Sequence, residues 1–492
     1  MSNGPLPIII QGGMGAGVSG WRLARAVSRA GQLGVVSGTA LDVILARRLQ
    51  LGDPGGHVRR ALGHFPVKAA ARRVLDRHFI PGGKAESEPF RLHQIFSERP
   101  NRQCEELLVM GSFVEVFLAK ENHSNPVGIN YLEKIQLPTL PSLLGAMLAG
   151  VSWVLMGAGI PRTIPGVLDH LAAGEPVELR LNVAGAACEE EHFTRFDPRG
   201  FLEQGAPDLA RPRFVAIVSS ATLAGALAKK SNGRVDGFVV EGFTAGGHNA
   251  PPRGIQQLAD DGQPVYGKRD MPDLAAIRAL GLPFWLAGSY ARPGRLREAL
   301  DAGAAGVQIG TAFAYCDESD LSADLKERVL AASGAGRSNA FTDPVASPTG
   351  FPFKVVPLEG TLSDDAAYAA RTRVCDLGYL RHAHKRSNGM LGWRCPAEPI
   401  ADYVQKGGTE AETLGRKCIC NALLANVGLA QVPLAGQKEK PLVTSGDDVA
   451  DVARFLKRGA NSYSARDVID QVVHGAEPSH APDPTRQETP HG

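Results

Sequence analysis

The chain predicts an α/β fold: a TIM-type (β/α)8 barrel with a helical insertion after the second strand and a mostly helical C-terminal subdomain. Three observations carry this expectation. Short apolar runs alternate with amphipathic stretches through residues 1–325. The runs are continuous rather than alternating, as in strands buried on both faces of a parallel sheet. Eight of them occur in one strand-then-helix register, the count that closes a barrel.

The first run is 7–11 (PIIIQ), followed by Gly12-Gly13-Met14-Gly15 and a helix carrying Trp21, Leu23, Ala24, Val27 and Ser28. The next three are 33–37 (LGVVS), 127–131 (VGINY) and 153–156 (WVLM). The last four are 213–219 (RFVAIVS), 237–240 (GFVV), 284–286 (FWL) and 306–309 (GVQI). The run 177–183 (VELRLNV) reads as part of an insertion, because another strand follows it before any convincing helix. An open doubly wound sheet is the competing architecture.

Residues 42–125 are rich in Arg, Leu and Ala and read as helices broken at Pro54-Gly55-Gly56 and Pro81-Gly82-Gly83. They form the insertion within a barrel domain spanning 1–325. Residues 326–473 form the C-terminal subdomain or lid. The tail 474–492 is polar and Pro-rich with no apolar face, and is expected to be disordered.

At 492 residues the chain buries a large core, and its net charge of +2 gives no long-range attraction to nucleic acid or anionic lipid. No stretch approaches the ~20 apolar residues needed to span a bilayer, and 7–10 is too short for a signal core. Seven cysteines, an odd number in a long chain, argue against a disulfide scaffold. The expectation is a cytoplasmic protein, compatible with a homodimer, acting on a small molecule.

Gly15-x-Gly17-x-x-Gly20 with Asp42 downstream satisfies a dinucleotide-binding fingerprint. Asp42, however, lies several residues past the second run, and 57 glycines make chance matches common. Two further Gly-rich turns occur at the opposite end of the series: Ala287-Gly288-Ser289 after the seventh run and Gly310-Thr311 after the eighth. In barrels these are the loops that hold a phosphate on backbone N–H groups. The sixth run leads into Glu241-Gly-Phe-Thr-Ala-Gly246-Gly247-His248, which presents a histidine at the catalytic face. A neutral imidazole there can accept a proton from a carbon beside an activating group.

Gln11-Gly-Gly-Met14, Ala26 to Gly31 with Leu33-Gly34, Gly157-Ala-Gly-Ile-Pro161, Ala245-Gly-Gly-His248 and Val307-Gln-Ile-Gly-Thr311 together resemble the nitronate monooxygenases. They are equally similar to their sister group, the FMN-dependent enoyl-acyl-carrier-protein reductases. The resemblance implies FMN, with Gly12, Gly13 and Met14 near the flavin ring and Asn130 at its polar edge. It implies Gly246 and Gly247 beside the cofactor, Ala287, Gly288, Ser289, Gly310 and Thr311 at its phosphate, and His248 as the base. The long insertion, the C-terminal region and the extension Asn249-Ala-Pro-Pro-Arg253 depart from compact relatives and border the active-site mouth.

The reaction expected from the resemblance is oxidation of an alkyl nitronate with O₂, with Arg253 and Arg292 lending positive charge to the pocket. The alternatives are NAD(P)H-dependent reduction of an enoyl thioester and a non-catalytic flavin-binding partner protein. Cys375, Cys395, Cys418 and Cys420, with His382 and His384 nearby, have no C-x-x-C spacing, and no metal site is assigned to them.

Overall fold

The computed structural model describes residues 5–92, 94–187, 189–202, 209–432 and 437–475. One sheet holds eight parallel strands: β1 (Ile9–Gln11), β2 (Gly34–Ser37), β3 (Val127–Leu132), β4 (Trp153–Gly157), β5 (Arg213–Val218), β6 (Gly237–Glu241), β7 (Phe284–Ala287) and β8 (Gly306–Ile309). From β2 to β8 each strand pairs with the next in chain order, and β8 returns to β1 in the register Ile9–Val307. The last seam, between β1 and β2, is closed by Gln11 N–H donating to Leu33 O at 2.9 Å and Leu33 N–H donating to Ile9 O at 3.1 Å. Where that ladder runs out, Gln11 Oε1 accepts from Val35 N–H at 2.9 Å. The sheet is thus a closed barrel, and the open-sheet alternative fails.

The eight runs read from the sequence are the eight strands. Alternate residues of each strand face opposite ways, yet both sets are buried. Ile10, Val35, Trp153, Leu155, Val215, Val239 and Trp285 fill the barrel interior. Ile9, Val36, Ile129, Val154, Phe214, Phe238, Leu286 and Val307 pack outward against the helices. Trp153 and Trp285 meet edge to face at 5.7 Å and plug the barrel, with Trp285 Nε1 donating to Pro7 O at 2.8 Å.

After β1 comes α1 (Trp21–Arg29), and the expected insertion is helical: α2 (Leu41–Gln50), α3 (His57–His64), α4 (Lys68–His78) and α5 (Arg102–Lys120). The Asn101 side chain caps α5 by accepting from Cys104 N–H at 2.9 Å. This longest helix packs beside α6 (Thr139–Leu148) and serves as the crossover from β2 to β3. Val177–Arg180 pairs antiparallel with Phe193–Phe196, outside the barrel as expected.

Beyond β8, short helices such as Ala323–Gly334, Ile419–Ala425 and Ala465–His474 are joined by long loops. Two antiparallel strand pairs also occur there, Phe341–Asp343 with Phe353–Val355 and His382–Lys385 with Leu391–Arg394. The sequence reading did not anticipate them, because strands of three or four residues carrying His, Lys and Arg leave no two-residue apolar pattern to detect. The tail expected to be disordered lies, from residue 476, outside the described residues. No described helix is long and apolar enough to cross a membrane.

Candidate active site

Following the inward-facing set to the C-terminal end of the barrel locates the site. Two residues beyond Ile10, Val35, Leu155, Val215, Val239 and Trp285 stand Gly12, Ser37, Gly157, Ile217, Glu241 and Ala287. Together with Asn130 of β3 and Gln308 of β8, all of them line one cavity of about 230 Å³. Every strand, or for β1 the residue just past its end, therefore contributes to the face where barrel enzymes carry their chemistry. The twelve residues named from the sequence all line this cavity: Gly12, Gly13, Met14, Asn130, Gly246, Gly247, His248, Ala287, Gly288, Ser289, Gly310 and Thr311. The site also includes Ser37, Glu241 and Gln308, which the two-residue alternation of their strands would have found.

The turn after β7 is tight and left-handed. Gly288 has φ +98°, and a Cβ there would lie 2.7 Å from Thr244 Oγ1, so the position admits only glycine. Ser289 follows with φ +58°. Three of the five described non-glycine residues with positive φ, Ala40, Ala158 and Ser289, line this cavity. Backbone strain of roughly 1–3 kcal/mol per residue concentrates where function over-determines the conformation. At the front of the barrel Gly13 lies so close to Asn130 that a Cβ would come within 2.5 Å of its Cβ.

The C-terminal region roofs the cavity through Phe353, Leu377, Tyr379, Leu380, Ile419, Cys420 and the segment Thr444–Asp448. It also grips the loop that carries His248. Lys354 N–H donates to Gly247 O at 2.9 Å, Asn249 N–H to Pro352 O at 3.0 Å, and Gly247 N–H to Thr444 Oγ1 at 3.1 Å. At the β8 turn, Gly446 N–H donates to Thr311 Oγ1 at 2.9 Å.

His248 stands edge-on to Phe353 at 4.8 Å, with Nε2 2.7 Å from Ser347 Oγ. Burial first, and then the positive charge of Lys134, hold its pKa well below the usual histidine value. The ring is neutral at pH 7, with a lone pair available to a ligand's proton.

Glu241 shows the opposite effect: burial alone raises its carboxyl pKa from 4.5 to about 7. Because the folded value exceeds the unfolded one, the stability that Glu241 adds is full below about pH 4.5 and is lost as pH rises through about 7. The ligand-free protein is therefore expected to lose up to about 3 kcal/mol across that window relative to Glu241→Gln. Urea denaturation of both proteins at pH 5 and pH 8 measures this, and parallel behaviour would contradict the assignment.

The positive charge expected from Arg253 and Arg292 is not delivered to the cavity. Arg253 lines a separate small cleft and donates to the carbonyls of Arg269 at 2.6 Å and Ser219 at 3.2 Å. Arg292 lies 3.4 Å from Asp448 and 3.3 Å from Asp451, which neutralise it. Carbonyls and carboxylates from distant loops satisfy both guanidiniums, which sequence proximity could not reveal. The cation that acts on His248 is Lys134, just beyond β3.

Cys375, Cys395, Cys418 and Cys420 border one small cavity under the roof. Hydrogen bonding from Cys395 lowers the Cys375 thiol pKa and raises that of Cys395. Among the described residues no group of three or more His, Cys, Asp or Glu is arranged to hold a metal ion. His382 is engaged elsewhere, with its Nε2 accepting from Arg394 Nε at 3.3 Å.

Comparison with known proteins matches residues 201–338 to the nitronate monooxygenase family. That segment includes β5 to β8, the His248 loop and the turns at 287–289 and 310–311, but not Gly12, Gly13, Met14 or Asn130. A nitronate monooxygenase of Pseudomonas aeruginosa is 33% identical over 121 residues, which cover 24% of this chain and 32% of that protein. The chain thus spans about a third of the length of the curated relative it matches. Among solved structures, a nitroalkane oxidase from Streptomyces ansochromogenes superposes with a TM-score of 0.47 at 16% identity, covering 96% of each chain. FabK from Thermotoga maritima gives 0.44 at 16% identity, covering 96% of this chain and 92% of that one. The enoyl reductase domain of MlnA from Bacillus amyloliquefaciens gives 0.46 at 12% identity, covering 95% and 92%.

Proposed function

We propose that this chain, whose residues 201–338 match the nitronate monooxygenase family, is an FMN-dependent oxidoreductase that oxidises alkyl nitronates with O₂. One observation carries the reading: the C-terminal ends of the barrel strands converge on a single cavity lined by a neutral, largely buried His248 and by the glycine turns after β7 and β8.

The residues fit the cofactor. Gln308 Oε1 is buried without a described hydrogen-bond partner, so a polar ring edge at the barrel mouth would satisfy it. Gly12, Gly13 and Met14 give a flat approach beside Asn130 for that ring. Gly246 and Gly247 would flank it, while Ala287, Gly288, Ser289, Gly310 and Thr311 would hold the phosphate. Asp448 lies beside this cradle, and its charge is offset by Arg292 at 3.4 Å and by Arg454. Bound FMN would supply the electron-transfer chemistry between substrate and O₂. The chain's own contribution is orientation, exclusion of water by the C-terminal roof, and proton acceptance at His248.

One observation favours a second reading, reduction of an enoyl thioester by NAD(P)H. A further cavity of about 900 Å³ shares Ile135, Tyr379 and Leu380 with the first, giving room for a substrate much longer than a small nitronate. Anaerobic mixing of the FMN-loaded protein with propyl nitronate, NADH and NADPH in separate cuvettes separates the two. Bleaching by nitronate alone supports the monooxygenase, rapid bleaching by a pyridine nucleotide supports the reductase, and failure to take up FMN overturns both.

A further inference from the structure

We infer that Ser347, Thr349 and Lys134 form a proton path leading from His248 out of the flavin cavity into the larger neighbouring one. The inference rests on the reading of His248 as the base. Three hydrogen bonds connect four side chains in series. His248 Nε2 is 2.7 Å from Ser347 Oγ, and Ser347 Oγ is 2.8 Å from Thr349 Oγ1. Lys134 Nζ lies 3.5 Å from Thr349 Oγ1. The series starts at the wall of the first cavity with His248 and ends at the wall of the second, which Thr349 and Lys134 line. Ser347, the link between them, is wholly buried.

The donors and acceptors are arranged for transfer. His248 Nδ1 makes no hydrogen bond among the described residues, which leaves it to take a proton from a substrate carbon. When that C–H bond breaks, its electron pair stays with the substrate and the proton forms an N–H bond at Nδ1. The resulting imidazolium releases its Nε2 proton to Ser347 Oγ as Ser347 passes its own to Thr349 Oγ1. Thr349 in turn passes its proton to neutral Lys134 Nζ or to water in the second cavity. No electrons move along the path. Exchange with water after product leaves restores the Nε2–H tautomer.

The charges suit this direction. Burial lowers Lys134 from 10.5 to about 8 against the opposing pull of Glu133, so a useful fraction is neutral at physiological pH. The ammonium form lies 4.0 Å over the Phe351 ring, which accommodates the charge once the proton arrives. The same residues also brace the turn: Thr349 N–H donates to Ser347 Oγ at 3.2 Å and Arg416 holds Ser347 O at 2.6 Å.

Thr349→Val separates the two roles, since it removes the middle hydroxyl and leaves the His248–Ser347 bond in place. In FMN-loaded protein, the ratio of neutral nitroalkane turnover to preformed nitronate turnover should fall about tenfold or more, because only the neutral substrate has a proton to lose. Added imidazole buffer should restore that ratio in the variant and leave the unsubstituted protein unchanged. Ser347→Ala provides a readout independent of turnover: ¹⁵N spectra of labelled histidine should show His248 losing its bias to the Nε2–H tautomer. An unchanged substrate ratio without buffer rescue would overturn the path while leaving His248 as base. If the unsubstituted protein oxidises neither substrate, the base reading fails, and an unchanged tautomer in Ser347→Ala then overturns the path as well.

Discussion

Replacing His248 with alanine should lower turnover of a neutral nitroalkane by about 10²–10⁴-fold while FMN remains bound, the usual cost of losing a positioned general base. The residue is suited to that role because two opposing demands are met. Burial keeps the imidazole neutral, and its bond to Ser347 Oγ fixes the ring's orientation. The effect on stability should be modest by comparison, because the ring borders a cavity and its main packing contact is one edge-on approach to Phe353. Steady-state kinetics with a nitroalkane and its nitronate, alongside the visible flavin spectrum, separate loss of chemistry from loss of cofactor. A variant with less than a threefold change in both rates would remove His248 from the mechanism.

Trp285→Ala should be the most destabilising single change in the barrel, costing about 3–5 kcal/mol. Its side chain is completely buried, stacks edge to face on Trp153, and donates its indole N–H to Pro7 O. Truncation therefore opens a cavity, removes an aromatic pair and leaves a buried carbonyl without its donor. Because Ala287, two residues on, lines the active-site cavity, the same variant should also bind FMN more weakly. Urea denaturation with and without FMN measures both effects. A loss below about 1 kcal/mol would mean that the barrel interior collapses readily around the deleted ring.

The strand order and the identity of the barrel-mouth residues follow from local patterns, which explains why they are legible in the amino-acid sequence. A strand buried on both faces requires an uninterrupted apolar run, and a tight turn needing positive φ requires glycine. Hence β1 to β8, Gly288 and the position of His248 in the loop after β6 could be read without coordinates. The neighbours that determine how His248 behaves could not. Ser347 lies 99 residues from it along the chain, and Phe353 further still. Asp448, which neutralises Arg292, comes from another distant loop.

No periodicity links such residues, because each is brought into place by packing of the C-terminal region over the barrel. Arg253 shows the same limit from the other side. It is near His248 in sequence, yet its guanidinium is spent on the carbonyls of Arg269 and Ser219 in two other loops. The sequence by itself determined the barrel, its eight strands and the mouth where a cofactor would sit, because continuous apolar runs and glycine turns are short-range constraints. Only the tertiary structure decided which charges reach the cavity and which hydroxyls contact the histidine, because hydrogen bonds and electrostatics depend on distance in space rather than along the chain.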